Sequence, residues 1–464
     1  MTSYLRSVIL MCVSAIVLQS MVAGINLAIP SLAAGALHPS HADLVWIVDS
    51  YVLTFAGLLI PAGALGDRIG RRRAVLAGLL LFSAACLVSG LAVNSGMLIA
   101  GRALGGVAAA LVQPATLSIC LAVAPAGRRA QTVATWTAAV AVGGIVGNLA
   151  AGGILDVASW RAFFLAFAPV AVVLVVLIAA LVPEIPPHRA RVAVTGTVLL
   201  VGALFALLYG IIEGPDRGWT SAPVLVAFLL AVLLSTGFVA HGLSSSAPLL
   251  DPRIFTRPAV RAGALGVGAG FFALFGLFFV NAQFLQDVKG YSTLRTGFAI
   301  GPVAVGMMIV AARGAALAAR FGARRVVAVG LLAIAGGVLL LSTVTRTTPY
   351  PIYMVYLLVV ATGLGISAPA LTSAVLTGLP PEQAGLGSGV NSAAREVGAA
   401  LGVAVIGTLL NSHDAWRSPA AFTSGMATGY RVLAGVLVAL TVVVVASWRT
   451  RSAPVERLEV VNMS

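Results

Sequence analysis

The sequence predicts an all-α membrane protein of fourteen spans, and three observations carry that reading. Hydrophobic residue types make up 60% of the 464 residues and charged types only 9%, against about 25% charged in an ordinary soluble domain. The apolar residues gather into runs of spanning length, about 20 residues each, and there are enough of them for roughly fourteen. Short polar loops separate the runs, and arginine is richer in every other loop, as in a chain that threads a bilayer repeatedly. The same composition excludes one large soluble domain, a disordered chain and a disulfide-stapled secreted module.

In chain order, the run 8–31 follows Arg6 in the manner of a secretory signal, but it is long enough to span and more spans follow. It therefore reads as an uncleaved first helix. The runs 44–65 and 74–93 are divided by a loop holding Arg68, Arg71, Arg72 and Arg73. Next, 97–124 and 131–155 flank Arg128 and Arg129, and 162–182 begins after Arg161. A segment with Arg189 and Arg191 precedes 194–213, and Arg217 separates that run from 222–242. Arg253 and Arg257 introduce 261–286, while Lys289 and Arg295 precede 296–317. The runs 325–345, 351–377, 388–411 and 429–448 complete the set, with Arg320, Arg324 and Arg325, then Arg346, and finally Arg417 in the loops around them.

An even number of spans puts both termini on one side. That side's loops hold most of the arginine, which places both termini in the cytoplasm, and arginine in place of lysine with abundant Ala, Val and Gly suggests a GC-rich bacterial genome, hence a bacterial inner membrane. The net charge of +14 is thus mainly a topology signal, and without a soluble basic domain it does not indicate nucleic acid. Cys12, Cys86 and Cys120 lie within apolar runs and read as packing residues, so no disulfide framework, metal site or cofactor is expected.

The loop Gly63-Ala-Leu-Gly-Asp67-Arg68-Ile-Gly70-Arg71-Arg72-Arg73 is echoed by Gly314-Ala-Ala-Leu-Ala-Ala-Arg320-Phe-Gly322-Ala-Arg324-Arg325. If runs seven and eight are an insertion, the echo falls at the second helix of a second six-helix half. The expected organisation is a six-helix bundle over 1–182, a linker with two extra spans over 183–250, a second bundle over 251–450 and a tail over 451–464. A site is expected between the halves, near the membrane midplane.

These motifs resemble the major facilitator superfamily, and the whole chain resembles its fourteen-helix drug:proton antiporter branch. Gly63 to Arg73 looks like the family's loop signature. Supporting matches are Trp46-Ile-Val-Asp49-Ser-Tyr51, Arg102-x-x-x-Gly106, Ser159-Trp160-Arg161, Leu285-Gln286, Ala384-Gly-Leu-Gly-Ser388-Gly389 and Asn391-x-x-x-Arg395. The stretch Trp46 to Phe55 is similar to exporters of quaternary-ammonium antiseptics and methylenomycin-type self-resistance exporters. There are departures. Asn148-Leu149 stands where the antiporters show Gly-Pro, Met21 where many relatives have an acid, and Ala319 where the second loop's acid would be. One fewer carboxylate favours a lipophilic monocation or a neutral molecule over a dication.

Asp49 is the sharpest single residue. A carboxylate within a span costs up to about 2.5–3.5 kcal/mol at the helix centre, so it reads as a proton acceptor or cation contact, or alternatively as an acid hydrated from outside. Arg102 opens a stripe with Gly106, Gln113 and Thr116. The resemblance implies proton coupling for Arg102, with Asp49 as a partner to test, and the alternative is snorkelling. Gly63, Asp67, Arg68, Gly70, Arg71 and Arg72 read as a conformational gate that makes and breaks ion pairs, or as a solvated basic loop.

Cavity candidates are Gln19, Asn26, Tyr51, Gln113, Asn148, Gln283, Gln286, Asn391, Arg395 and Glu396. Being consecutive, Arg395 and Glu396 point about 100° apart and are not expected to share a face as i, i+4 residues do; they read as gate or cavity residues, or alternatively as a cytoplasmic-end ion pair. Aromatic residues such as Trp46, Phe271 and Phe275 are further candidates for stacking on a drug or cation.

The expected function is proton-coupled efflux of a lipophilic monocationic or neutral drug or antibiotic by alternating access, with small-molecule substrate, protons and bilayer as partners and the monomer as the working unit. A proton-linked importer or uniporter of the same fold, and a non-transporting receptor or scaffold, are the alternatives. An enzyme is not expected, since His38, His41, His188, His241 and His413 lie in or beside loops without metal-type spacing.

Overall fold

A computed structural model describes residues 3–125, 128–185, 193–246, 248–379, 384–412 and 417–448. Fourteen helices of the described residues are long and apolar enough to cross a membrane. In order they are α1 (Ser3–Ala33), α2 (His41–Ile69), α3 (Arg71–Gly90), α4 (Ser95–Val123), α5 (Arg129–Val157), α6 (Trp160–Leu181) and α7 (Val194–Arg217). The remainder are α8 (Ala222–Ser244), α9 (Pro258–Gln283), α10 (Thr293–Phe321), α11 (Ala323–Leu341), α12 (Tyr350–Thr377), α13 (Ala384–Ser412) and α14 (Pro419–Ser447). Only helices satisfy every backbone polar group within a single segment in hydrocarbon, so each apolar run folds as one.

The helices outrun their apolar windows where polar residues continue them into the headgroup region. Local caps set several ends. Ser40 and Asp43 form a reciprocal capping box at the start of α2, and the Asn94 side chain accepts from the Met97 amide at the start of α4. The largest departure lies between α2 and α3. The eight-residue loop expected over 66–73 shrinks to Gly70, because the flanking arginines are good helix formers and extend both helices to meet at one residue. Gly70 has φ +102° and Gly322, between α10 and α11, has φ +85°. The echoed loops therefore share one backbone device, a single glycine reversing the chain between adjacent helices.

Helices α1–α6 pack among themselves as one bundle and α9–α14 as another. Within the second, Gly398 and Gly402 bring α13 onto the backbone of α9, where any side chain at either position would run into the carbonyl of Gly268 or Phe272. Helices α7 and α8 pair with each other, and α7 alone touches both bundles, through α2 and α13. Val201 of α7 fills the notch at Gly57 of α2, and Thr408 of α13 donates to the Ile211 carbonyl of α7 at 2.8 Å. Helix α8 turns Leu225, Leu229, Val232 and Leu233 outward, as suits a lipid-facing surface.

Gly70→Ala and Gly322→Ala are each expected to destabilise the protein by about 1–3 kcal/mol, the usual cost of a side chain in such backbone regions. Gly144→Ala, where an added methyl meets nothing within 4 Å, is expected to leave the melting temperature unchanged or raise it. Thermal unfolding of the detergent-solubilised variants checks all three.

Candidate functional site

Asp49 lies in the first third of α2 and is 0% exposed. Neither of its carboxylate oxygens has a hydrogen-bond partner among the described residues. Its direction follows from its neighbours. Val45 sits against Gly407 of α13, and Ile60 against Gly389 of the same helix. At about 100° per residue, Asp49 falls between them on the stripe of α2 that faces α13. The carboxylate is therefore held in the seam between the bundles.

The seam is closed at the face away from the two chain ends. His41 Nδ1 lies 3.1 Å from Asn411 Oδ1, and Asn411 Nδ2 donates to Asp216 of α7 at 2.7 Å. Trp46 Nε1 donates to Glu213 at 3.1 Å, and Glu213 in turn pairs with Arg217 at 2.7 Å. On the opposite flank, Asp156 of α5 accepts from the Leu294 amide of α10 at 3.2 Å, and Gln286 donates to the Leu27 carbonyl of α1 at 3.2 Å. Beside these contacts, α5, α10 and α12 enclose an apolar groove of about 480 Å³, with Leu149, Phe298 and Ile309 among its walls.

Arg102 is 2% exposed but does not pair with Asp49. Its Nε donates to the Ile47 carbonyl at 2.8 Å, and its guanidinium lies 4.5 Å from the centre of the Tyr51 ring. Asp49 and Tyr51 are two residues apart, about 200° around α2, so the carboxylate faces α13 while Tyr51 faces α1 and α4, the helix that carries Arg102. Tyr51 is enclosed in the first bundle, its hydroxyl donating to the Leu18 carbonyl at 3.4 Å. The contact depends on Gly106, where any side chain would strike Thr54 and the Tyr51 carbonyl.

In the glycine-arginine loop, Asp67 pairs with Arg71 at 2.8 Å. Arg72 and Arg73 turn instead to Glu184, just beyond α6, at 2.9 and 3.3 Å, and Arg72 also donates to the Ala179 carbonyl. Gly63 lies over Pro114 of α4.

The remaining candidates are dispersed. Asn26 and Gln113 are buried, with Asn26 Oδ1 and Gln113 Nε2 unpartnered among the described residues. Gln283 donates to its own helix at Phe279, and the Asn148 carbonyl meets Gly297 of α10 at the closed end. Gln19 packs beside Gly143 of α5, and Asn391 Oδ1 has no partner among the described residues. Arg395 and Glu396 do pair, against the spacing argument: Arg395 Nε lies 2.9 Å from Glu396 Oε1, because the long arginine side chain bends across the gap between the two directions.

The sequence model of the Major Facilitator Superfamily matches residues 11–403. The chain belongs to the major facilitator superfamily. Within this superfamily, it is 32% identical to a methylenomycin A resistance protein of Streptomyces coelicolor, over 91% of this chain and 87% of that protein. It is 34% identical to a puromycin resistance protein of Streptomyces alboniger, over 91% and 86%. With a multidrug efflux pump of Mycolicibacterium smegmatis it shares 30% identity, over 82% and 76%. Among solved structures, a bacterial homologue of the lysosomal transporter Spinster superimposes with TM-score 0.68 at 17% identity, covering 96% of both chains. A peptide transporter does so with TM-score 0.71 at 15% identity, covering 95% of this chain and 94% of that one. Both likenesses show the major facilitator fold. The protein is thus a multi-pass membrane transporter of the superfamily, acting on small molecules.

Sequence reasoning missed the superfamily loop's distant partner. Glu184 was detectable as an acid beside the end of span six, but its pairing with two arginines across the bundle was not. Because that site is exposed, Glu184→Gln is expected to cost less than about 1 kcal/mol. Gly106→Ala should cost about 1–3 kcal/mol or more through overpacking at the α2–α4 contact. Size-exclusion profiles and melting temperatures of the two variants separate these outcomes.

Proposed function

We propose that the protein is a proton-coupled exporter of lipophilic monocationic or neutral drugs or antibiotics, working as a monomer by alternating access in the bacterial inner membrane. The observation that carries this reading is the carboxyl of Asp49, wholly buried and without a partner among the described residues, in the seam that must part for the far face to open. An ionised carboxylate buried without a partner costs several kcal/mol, whereas the neutral acid is tolerated far better. Closing the seam over Asp49 is therefore coupled to a proton on that residue.

With the arginine-rich loops in the cytoplasm, the closed face looks outward. In the cycle, the outward-open form hydrates Asp49, a proton from outside neutralises it, and the substrate leaves. The seam then closes, and the proton is released to the cytoplasm before the next substrate is carried out. The Asp67–Arg71 pair is half-buried and the Glu184 pairs border solvent, so water can solvate a partner that is released and neither pair holds the loop strongly. Small changes in helix position can then exchange their partners, as a gate requires. The resistance and efflux names borne by relatives at about 30% identity support export.

Proton flux driven by substrate in inside-out vesicles tests the reading. Asp49→Asn is expected to abolish coupled proton movement while the protein still inserts and folds, and Asp49→Glu to retain part of it. Undiminished coupling in Asp49→Asn would remove Asp49 from the mechanism.

A further inference from the structure

The Arg395–Glu396 pair occupies a particular place on α13. The contacts of Gly389 with Ile60 and of Gly407 with Val45 define the stripe of α13 that faces α2. Glu396 lies within about 20° of that stripe. Gly398 and Gly402 face α9, and Arg395 lies on that side. Thr408, bonded to α7, marks the other flank. The two charged side chains therefore meet in the wedge between α2 and α9, on the interior side of the helix. Glu396 is held in the wall, its side chain 6% exposed, while that of Arg395 is 23% exposed to the interior space.

Arg395 is also held by an aromatic face. Its guanidinium carbon lies 5.7 Å from the centre of the Phe271 ring. Phe271 begins a ladder with Phe275 and Phe278 along one face of α9, successive centres 6.2 Å apart. A flat, delocalised cation is thus seated on a carboxylate and against an aromatic ring, the two groups that recognise an organic cation.

We propose that Glu396 and the Phe271 ladder form a binding site for lipophilic organic monocations, occupied here by the Arg395 guanidinium, which an incoming substrate displaces. One carboxylate matches one positive charge, and the row of mutually tilted rings offers an apolar wall to an aromatic or branched body. Arg395, on a flexible stem and partly exposed, swings into the interior space when displaced, so Glu396 keeps a cation throughout. The assignment specifies the substrate class of the efflux reading and rests on it for transport, but the binding event stands independently of proton coupling.

Equilibrium binding of tetraphenylphosphonium to the purified full-length chain in micelles, with a protein-free micelle blank, tests the site. Wild type is expected to bind it saturably, and neutral triphenylphosphine oxide at least tenfold more weakly. Glu396→Gln should weaken tetraphenylphosphonium binding at least tenfold and Glu396→Asp much less. Phe271→Leu should weaken it severalfold, while Phe271→Tyr keeps it. Arg395→Gln should bind as tightly as wild type or more tightly, since it removes the internal competitor, a gain that loss of a merely structural ion pair does not produce. The proposal falls if wild type shows no saturable binding, if folded Glu396→Gln binds like wild type, or if Arg395→Gln loses affinity along with Glu396→Gln. Should Glu396→Gln fail to fold, the Arg395→Gln and Phe271 variants decide. If these results hold while Asp49→Asn still couples proton flux, the cation site stands and the proton assignment fails.

Discussion

The structure depends on how closely α2 can lie against α13. Theirs is one of the two long contacts between the bundles, the other being that of α5 with α10, and small residues at Gly389 and Gly407 let Ile60 and Val45 approach. Between those contacts the chain places an acid where an apolar side chain would pack more stably. A seam made only of aliphatic side chains has no reason to part. With Asp49 inside it, the stability of the closed form becomes sensitive to whether that one group carries charge.

Around this seam, polar groups divide by depth. At the closed face, the Asn411–Asp216 and Trp46–Glu213 contacts join helices from different parts of the chain. The Asn411–Asp216 contact is exposed, where water can replace it, and the Trp46–Glu213 contact is half-buried beneath it. Deeper in the protein, Arg102 has no water to fall back on and is held by a backbone carbonyl and an aromatic ring. That arrangement fixes α2 to α4 and makes the first bundle a unit. The arginine that the resemblance links to proton coupling thus acts on the same helix as Asp49 from its opposite side, through the carbonyl of Ile47 and the ring of Tyr51.

Much of this was legible in the sequence. Fourteen spans follow from apolar run length alone, and the echo between Gly63–Arg73 and Gly314–Arg325 anticipated two matching helix pairs, although not that each turns on one glycine. Asp49 stood out because a carboxylate in a span is costly. Partners were not legible. Whether Asp49 meets Arg102 depends on which face of α2 each neighbour covers, and span order does not determine that. Arg395 and Glu396 show the same limit from the other side. Spacing describes where Cβ atoms point, while an arginine is long enough to reach around the helix. The pairing of Glu184 with Arg72 and Arg73 joins residues more than a hundred positions apart, beyond any local pattern.

The position of α7 between the bundles has a mechanical consequence. It touches α2 and α13 on the same flank of the seam, so a rotation that separates the bundles keeps its axis near α7 and has its longest lever arm on the far flank. That flank is the one where α5 meets α10 beside the apolar groove. In an alternating-access cycle the α7–α8 pair thereby directs the opening, with the larger displacement on the flank that carries the apolar groove.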